Sequence, residues 1–163
     1  MRDDEPDFSA ILRDLDAAGV RYVLIGGLAM IAHGSAHVTV DIDVAYARDS
    51  DNLNRIVAAI KSHHPSLRGA QPGLPFIFDA RTLHNTMNLT LSTDVGDVDL
   101  LSEPTGVESF DVLWDAAVPM EIFGVVVRVA ALDHLIAMKQ AANRPKDRNH
   151  VLELLALKKA IDG

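Results

Sequence analysis

Two short runs of this chain place aspartates at every second position among aliphatic residues. The first is Val38-Thr39-Val40-Asp41-Ile42-Asp43-Val44 and the second is Val95-Gly96-Asp97-Val98-Asp99-Leu100-Leu101. The β-branched and aliphatic residues predict strands, in which side chains alternate faces. Asp41 and Asp43 then leave one face roughly 6.6 Å apart, while Val40, Ile42 and Val44 leave the other. Two carboxylates this close repel unless a cation lies between them. Oxygen ligands on a rigid surface suit a hard divalent ion, Mg²⁺ or Mn²⁺, better than zinc. Taken alone, one such run reads more simply as an edge strand whose acids block aggregation. The second run changes that balance, because a two-metal site needs a further carboxylate from a neighbouring strand. Asp99 is the better third ligand. Asp97 follows Gly96, where it helps to end the turn.

Upstream, the apolar run 21–25 stops at Gly26-Gly27, and Leu28-Ala29-Met30-Ile31-Ala32-His33 reads as a helix that ends at Gly34. A strand, two glycines and a helix leave free backbone N–H groups at the turn, and glycine lets an anion approach the main chain. Such a turn is usually just a tight turn. Twelve residues ahead of an acidic strand, it has the makings of a phosphate cradle beside a metal site, which is the equipment for a nucleoside triphosphate.

Near the C terminus, Leu132, Leu135, Ile136 and Lys139 share one helical stripe. A lysine there either snorkels along its stem or reaches into a cleft. Beside a triphosphate, a point charge on a flexible stem suits the second role. Asp147 lines up with Val151, Leu154 and Lys158 and is drawn inward, although an acid in a first helical turn is also stabilised by the helix dipole. Arg144 and Lys146 either bind phosphate or are solvated charges at a helix junction, with equal weight.

These residues resemble the nucleotidyltransferase superfamily of the DNA polymerase β type, on Gly26-Gly27, Asp41-Ile42-Asp43 and Val98-Asp99-Leu100. The resemblance covers about half the chain, 20–101. The runs Asp133-His134-Leu135-Ile136-Ala137-Met138-Lys139 and Arg144-Pro145-Lys146-Asp147 look like the AbiEii-type branch, which includes toxins of bacterial toxin–antitoxin systems. The resemblance implies an α+β, nucleotidyltransferase-like mixed β-sheet flanked by helices, with a core over 1–130 and a helical extension over 131–163 packed on it. It implies transfer of a nucleotidyl group from an NTP to a hydroxyl, with Mg²⁺ or Mn²⁺. Asp41, Asp43 and Asp99 would be the metal ligands and catalytic residues, joined by Lys139. Gly26, Gly27, Thr39, Lys139, Arg144, Lys146 and Asp147 would hold the nucleotide. The acceptor would be RNA or protein, with a cognate antitoxin as partner. Two positions depart from the pattern: His37 stands where many relatives carry Arg, and His150 where a further acid often stands.

Composition narrows the alternatives. The chain has 163 residues and 48% hydrophobic content, enough for one domain with a core. It has no apolar run of transmembrane length, and Met1-Arg2-Asp3-Asp4-Glu5 shows no signal-peptide pattern. The absence of cysteine excludes disulfides and Cys nucleophiles and fits a cytoplasmic protein. Twenty-three acidic against 15 basic residues, net −8, argue against a broad nucleic-acid surface. Two other functions remain in view, a small-molecule (antibiotic) nucleotidyltransferase and a non-catalytic, antitoxin-like binding module of the same fold.

The remaining expectations are structural. Helices are expected around Phe8, Ile11, Leu12 and Leu15, and around Leu53, Ile56, Val57 and Ile60 behind a cap at Asp49 or Ser50. A loop is expected over 62–75, and strands over 76–78, 86–91 and 95–101. A helical turn is expected over 109–114, a hairpin or bent strand over 121–128, and two closing helices over 132–143 and 146–160. His33/His37 lack a third zinc ligand, His63-His64 reads as surface, Ser35 and Ser92 lack a nucleophile-elbow context, and Trp114 reads as core.

Overall fold

The fold is seen in a computed structural model that describes residues 5–71 and 73–162. The expectations placed on Met1-Arg2-Asp3-Asp4 and on Pro72 lie outside the described residues. Helix α1 (Phe8–Ala17) leads into β1 (Tyr22–Ile25), α2 (Gly26–Ala32), β2 (Asp41–Tyr46) and α3 (Ser50–Ile60). The middle of the chain supplies β3 (Ser66–Leu67), α4 (Ala80–Asn85), β4 (Asn88–Thr93), β5 (Gly96–Leu101) and α5 (Phe110–Ala116). The hairpin β6 (Val118–Ile122) and β7 (Val125–Val129) precedes α6 (Leu132–Ala142) and α7 (Pro145–Asp162). The strands form one mixed sheet in the order β3-β4-β5-β2-β1-β7-β6, flanked by helices, as the sequence implied.

Apolar patterning explains the layering. All four residues of β1 are buried, so this central strand is covered on both faces. Phe8, Ile11, Leu12 and Leu15 give α1 one buried stripe, and Asp7 caps it by accepting from the Ala10 N–H at 3.3 Å. Asp49 caps α3 in the same way, accepting from Asn52 N at 3.1 Å. Asn52 is itself fully buried and its side chain bonds to backbone: its Oδ1 accepts from Arg21 N at 2.7 Å, and its Nδ2 donates to Arg21 O and Ala47 O at 3.0 and 2.7 Å. These bonds satisfy main-chain groups just before β1 and just after β2, where the ladder runs out. Leu135, Ile136 and Leu154 bring α6 and α7 into the same hydrophobic cluster as the sheet.

Two registers place the acids. Strand β2 runs antiparallel to β1, with Ile25 opposite Asp43, and parallel to β5, with Asp41 opposite Asp97 and Asp43 opposite Asp99. The expected alternation holds from Asp41 onward: Ile42 and Val44 are buried while Asp41 and Asp43 are not fully covered. It fails before Asp41. The strand begins there and not at residue 38, and Val38 and Val40 are 83% and 69% exposed in the connection from α2. Residues 76–78 are not a strand, and the helix α4 that follows, capped by Asp79 accepting from Thr82 N at 2.8 Å, was not expected. The expected loop over 62–75 contains β3, paired with β4. Residues 118–129 form a true hairpin that turns at Phe123-Gly124, both at positive φ (52° and 81°).

Candidate active site

Asp41 and Asp43 from β2 and Asp99 from β5 converge, each offering a carboxylate oxygen within 4.8 Å of the others. The sheet dictates this: acids two apart on one strand share a face, and the parallel register brings Asp99 alongside Asp43. Burial is the largest effect on Asp43. Its hydrogen bond with Asp99 and the charges of Asp41 and Asp99 add to it, Lys139 opposes it, and the result is a carboxyl pushed up to about 8. A cation between the three groups would remove that penalty. All donors are oxygens, which fits a hard divalent ion.

The glycines lie against this cluster. A Cβ on Gly26 would fall 2.0 Å from Asp43 Oδ2, and Gly26 sits at φ +71°. Only glycine allows both the close approach and that backbone angle. A Cβ on Gly27 would fall 2.9 Å from the Thr39 hydroxyl, which in turn donates toward Asp41, 3.1 Å from Oδ1 and 3.0 Å from the backbone oxygen. The N-cap of α2 is Ile25, whose side chain makes no capping bond, so no side chain competes for the first N–H groups of the helix.

Across a cleft of about 340 Å³, α6 contributes Leu135, Met138 and Lys139 opposite Gly26, Asp43 and Asp99. Lys139 is anchored by Asp147, Nζ to Oδ1 at 3.4 Å. Asp147 is fully buried at the start of α7. Its Oδ2 accepts from Arg144 Nε and N at 2.6 and 3.1 Å, and its Oδ1 accepts from Arg144 Nη2 at 3.2 Å. The Arg144 bonds outweigh burial and hold the Asp147 carboxyl down to about 2. Sequence reasoning grouped Asp147 with the nucleotide-contacting residues. In the structure both of its oxygens are occupied, it has no exposed surface, and it holds Lys139 and Arg144. Lys146 is exposed and does not line the cleft, whereas Arg144 does. A larger cavity, about 550 Å³, lies beyond Pro104 and Thr105 and contains none of the converging carboxylates.

One residue of the site was missed. Arg68, just after β3, donates from Nη2 to Asp99 Oδ1 at 2.5 Å and to Leu91 O at 3.0 Å, and its Nε lies 3.3 Å from Asp97 Oδ2. Asp97 therefore does not end the preceding turn. Thr93 does so, its hydroxyl donating to Gly96 O at 2.6 Å and accepting from Val95 N at 3.2 Å. Arg68 lay in the expected loop, where no local pattern singled it out.

Other expectations resolve more simply. His33 Nε2 bonds Ala130 O at 2.8 Å and is not paired with His37. His63 is tied to Asp14 at 2.5 Å and His64 to Asp94. Trp114 is only partly buried, and the guanidinium groups of Arg21 and Arg128 lie over its ring, 4.9 and 4.0 Å from the ring centre. His37 and His150, the two positions that depart from the resembled pattern, touch each other.

No family model and no curated protein matches this chain. Solved structures do. The antibiotic-resistance factor ANT(2'')-Ia superposes with a TM-score of 0.57 at 13% identity, over 96% of this chain and 82% of its own. TM1012 from Thermotoga maritima, assigned as a nucleotidyltransferase, superposes with a TM-score of 0.52 at 16% identity, over 95% and 90%. At these identities the likeness establishes a nucleotidyltransferase-like fold. Among the described residues, no helix is long and apolar enough to cross a membrane.

Proposed function

We propose that this chain is a divalent-metal-dependent nucleotidyltransferase that moves a nucleoside monophosphate from an NTP to a hydroxyl and releases pyrophosphate. The convergence of Asp41, Asp43 and Asp99 within 4.8 Å, against a glycine turn that tolerates no side chain, carries this reading. The three carboxylates would hold Mg²⁺ or Mn²⁺, which when bound supplies positive charge to the phosphates. The N–H groups at Gly26 and Gly27 bind the triphosphate, with Thr39 fixing the orientation of Asp41. Lys139, and Arg144 beside it, add positive charge held in place by Asp147. The acceptor oxygen bonds the α-phosphorus as the bond to pyrophosphate breaks, and the Asp99 carboxylate takes the hydroxyl proton. Residues 131–163 serve as a working part of the 1–130 core in this scheme, since they deliver the lysine.

The leading acceptor class is RNA or protein, as in a toxin of the AbiEii-type branch controlled by an antitoxin. A small-molecule acceptor is the second reading, favoured by the net charge of −8, which repels a polyanionic acceptor. Calorimetry with Mg²⁺ and each of the four NTPs tests the reaction class. Binding by the wild type and its loss in D41A/D43A are expected, and no binding, or unchanged binding in the double variant, refutes it. Labelled NTP added to cell extract then identifies the acceptor. Label confined to small molecules ends the toxin reading.

A further inference from the structure

We propose that His37 and His150 form a proton-accepting pair against the glycine turn of the phosphate site, so that polyphosphate binding is coupled to proton uptake by these imidazoles. The inference rests on the nucleotide-binding reading above. His37 lies in the connection between α2 and β2, and His150 on α7. Their rings meet edge to face, with centroids 4.8 Å apart and planes at 81°. The His37 segment is fixed on one side by α7: its N–H donates to Ser35 Oγ at 3.1 Å, and Ser35 Oγ donates to Glu153 Oε1 at 2.5 Å. On the other side the His37 ring rests on the glycine turn, where a Cβ on Gly27 would lie 3.2 Å from its Cδ2.

The charged groups facing His150 are Lys139 from α6, His37 from the connection, and Asp147 and Glu153 on its own helix. Its Nδ1 is buried without a hydrogen-bond partner among the described residues. Burial comes first, then the charges of Lys139 and His37, and together they hold His150 below the usual imidazole range against the opposing pull of the two acids. In the free protein His150 is therefore reluctant to charge. An anion at Gly27 reverses the sign of the local field. An opposite charge within about 4–6 Å favours the charged form by roughly 1–3 pKa units. A one-unit rise corresponds to about tenfold in affinity across the titration.

Mg²⁺–NTP binding, measured by calorimetry between pH 6 and pH 8.5 in buffers of different ionisation heat, tests the coupling in the wild type, H37Q and H150Q. Any pH dependence of the nucleotide itself, or of the aspartates, is common to all three proteins. The expected result is that the wild type takes up more protons than either variant, and that its affinity advantage grows severalfold from the alkaline to the acid end. NMR titration of the two imidazoles should show both moving to higher pH when nucleotide is present. Identical proton uptake and pH profiles in folded wild type and variants, with nucleotide still binding, overturns this inference and leaves the parent reading intact. No binding of any NTP at any pH overturns both.

Discussion

Replacing Asp147 with asparagine keeps the shape of the side chain and removes the charge that organises Lys139 and Arg144. The folded-state carboxyl lies at about 2 against an ordinary 3.8. At about 1.36 kcal/mol per unit this difference corresponds to roughly 2 kcal/mol of stability near neutral pH. Arg144 is 56% exposed and rehydrates when its partner is lost, which reduces the net effect to about 1–2 kcal/mol. For a chain of this length that is a fall in Tm of about 3–6 °C. Because the folded carboxyl is the stronger acid, the contribution is complete above about pH 4 and disappears as pH falls toward about 2. Thermal or urea unfolding of wild type and D147N at neutral pH and at about pH 2 measures both limits. A gap below about 1 °C at neutral pH, or one that persists undiminished at the acid limit, would refute the assignment of Asp147 as an ionised anchor. In the same variant, loss of the Lys139 anchor should weaken NTP binding severalfold without changing Mg²⁺ binding.

The acidic cluster behaves in the opposite sense. Asp43 retains a proton in the folded state that the unfolded chain has already released, so metal-free stability should fall as pH rises from about 4 to about 8. D43N should therefore melt several degrees higher than the metal-free wild type near neutral pH and lose the stabilisation that Mg²⁺ gives the wild type; equal melting curves, or an unchanged Mg²⁺ response, would contradict this. G26A should lose NTP binding and destabilise the fold by about 2 kcal/mol or more, since its Cβ meets Asp43 as well as an unfavourable φ. G19A, at the same φ of +71° but with nothing within 4 Å, is the control and should cost only about 1 kcal/mol. R68Q should lower metal-free stability by about 1 kcal/mol while tightening Mg²⁺ binding, as read by melting and calorimetry, because one competing cation is gone.

What the sequence disclosed and what it concealed follow from the range of the interactions. Asp41, Asp43 and Asp99 were legible because a period of two is a local property that survives folding unchanged. Gly26-Gly27 was legible because the residue type itself reports a backbone demand. The start of β2 was misplaced because Val38 and Val40 carry strand propensity, yet among the described residues no neighbouring strand extends far enough to pair with them. Arg68 was invisible because its role depends on β3 pairing with β4, a two-residue ladder with almost no sequence signature. The contact of His37 with His150 spans more than a hundred positions and has no local trace at all.

The pairing of β5 with β2 hides an ambiguity that the chain must resolve as it folds. Both strands repeat acids at every second position, so sliding β5 by two residues in the direction that sets Asp97 opposite Asp43 would still place Val98 beside Val44 and still present an acid to Asp43. Hydrophobic sorting alone is blind to that error. What ties the start of β5 to the rest of the fold is the bond from Asp7 N, at the entry of α1, to Val95 O at 2.7 Å, in the tight β4–β5 turn that the Thr93 hydroxyl closes. Being local in sequence, this hairpin can form before the long-range match with β2 is made. It then works as a ruler, delivering Asp99 and not Asp97 to the place opposite Asp43. Lengthening this turn by two residues would leave every acid in the sequence and a strand-competent pattern in place, yet recalibrate which carboxylate meets Asp43.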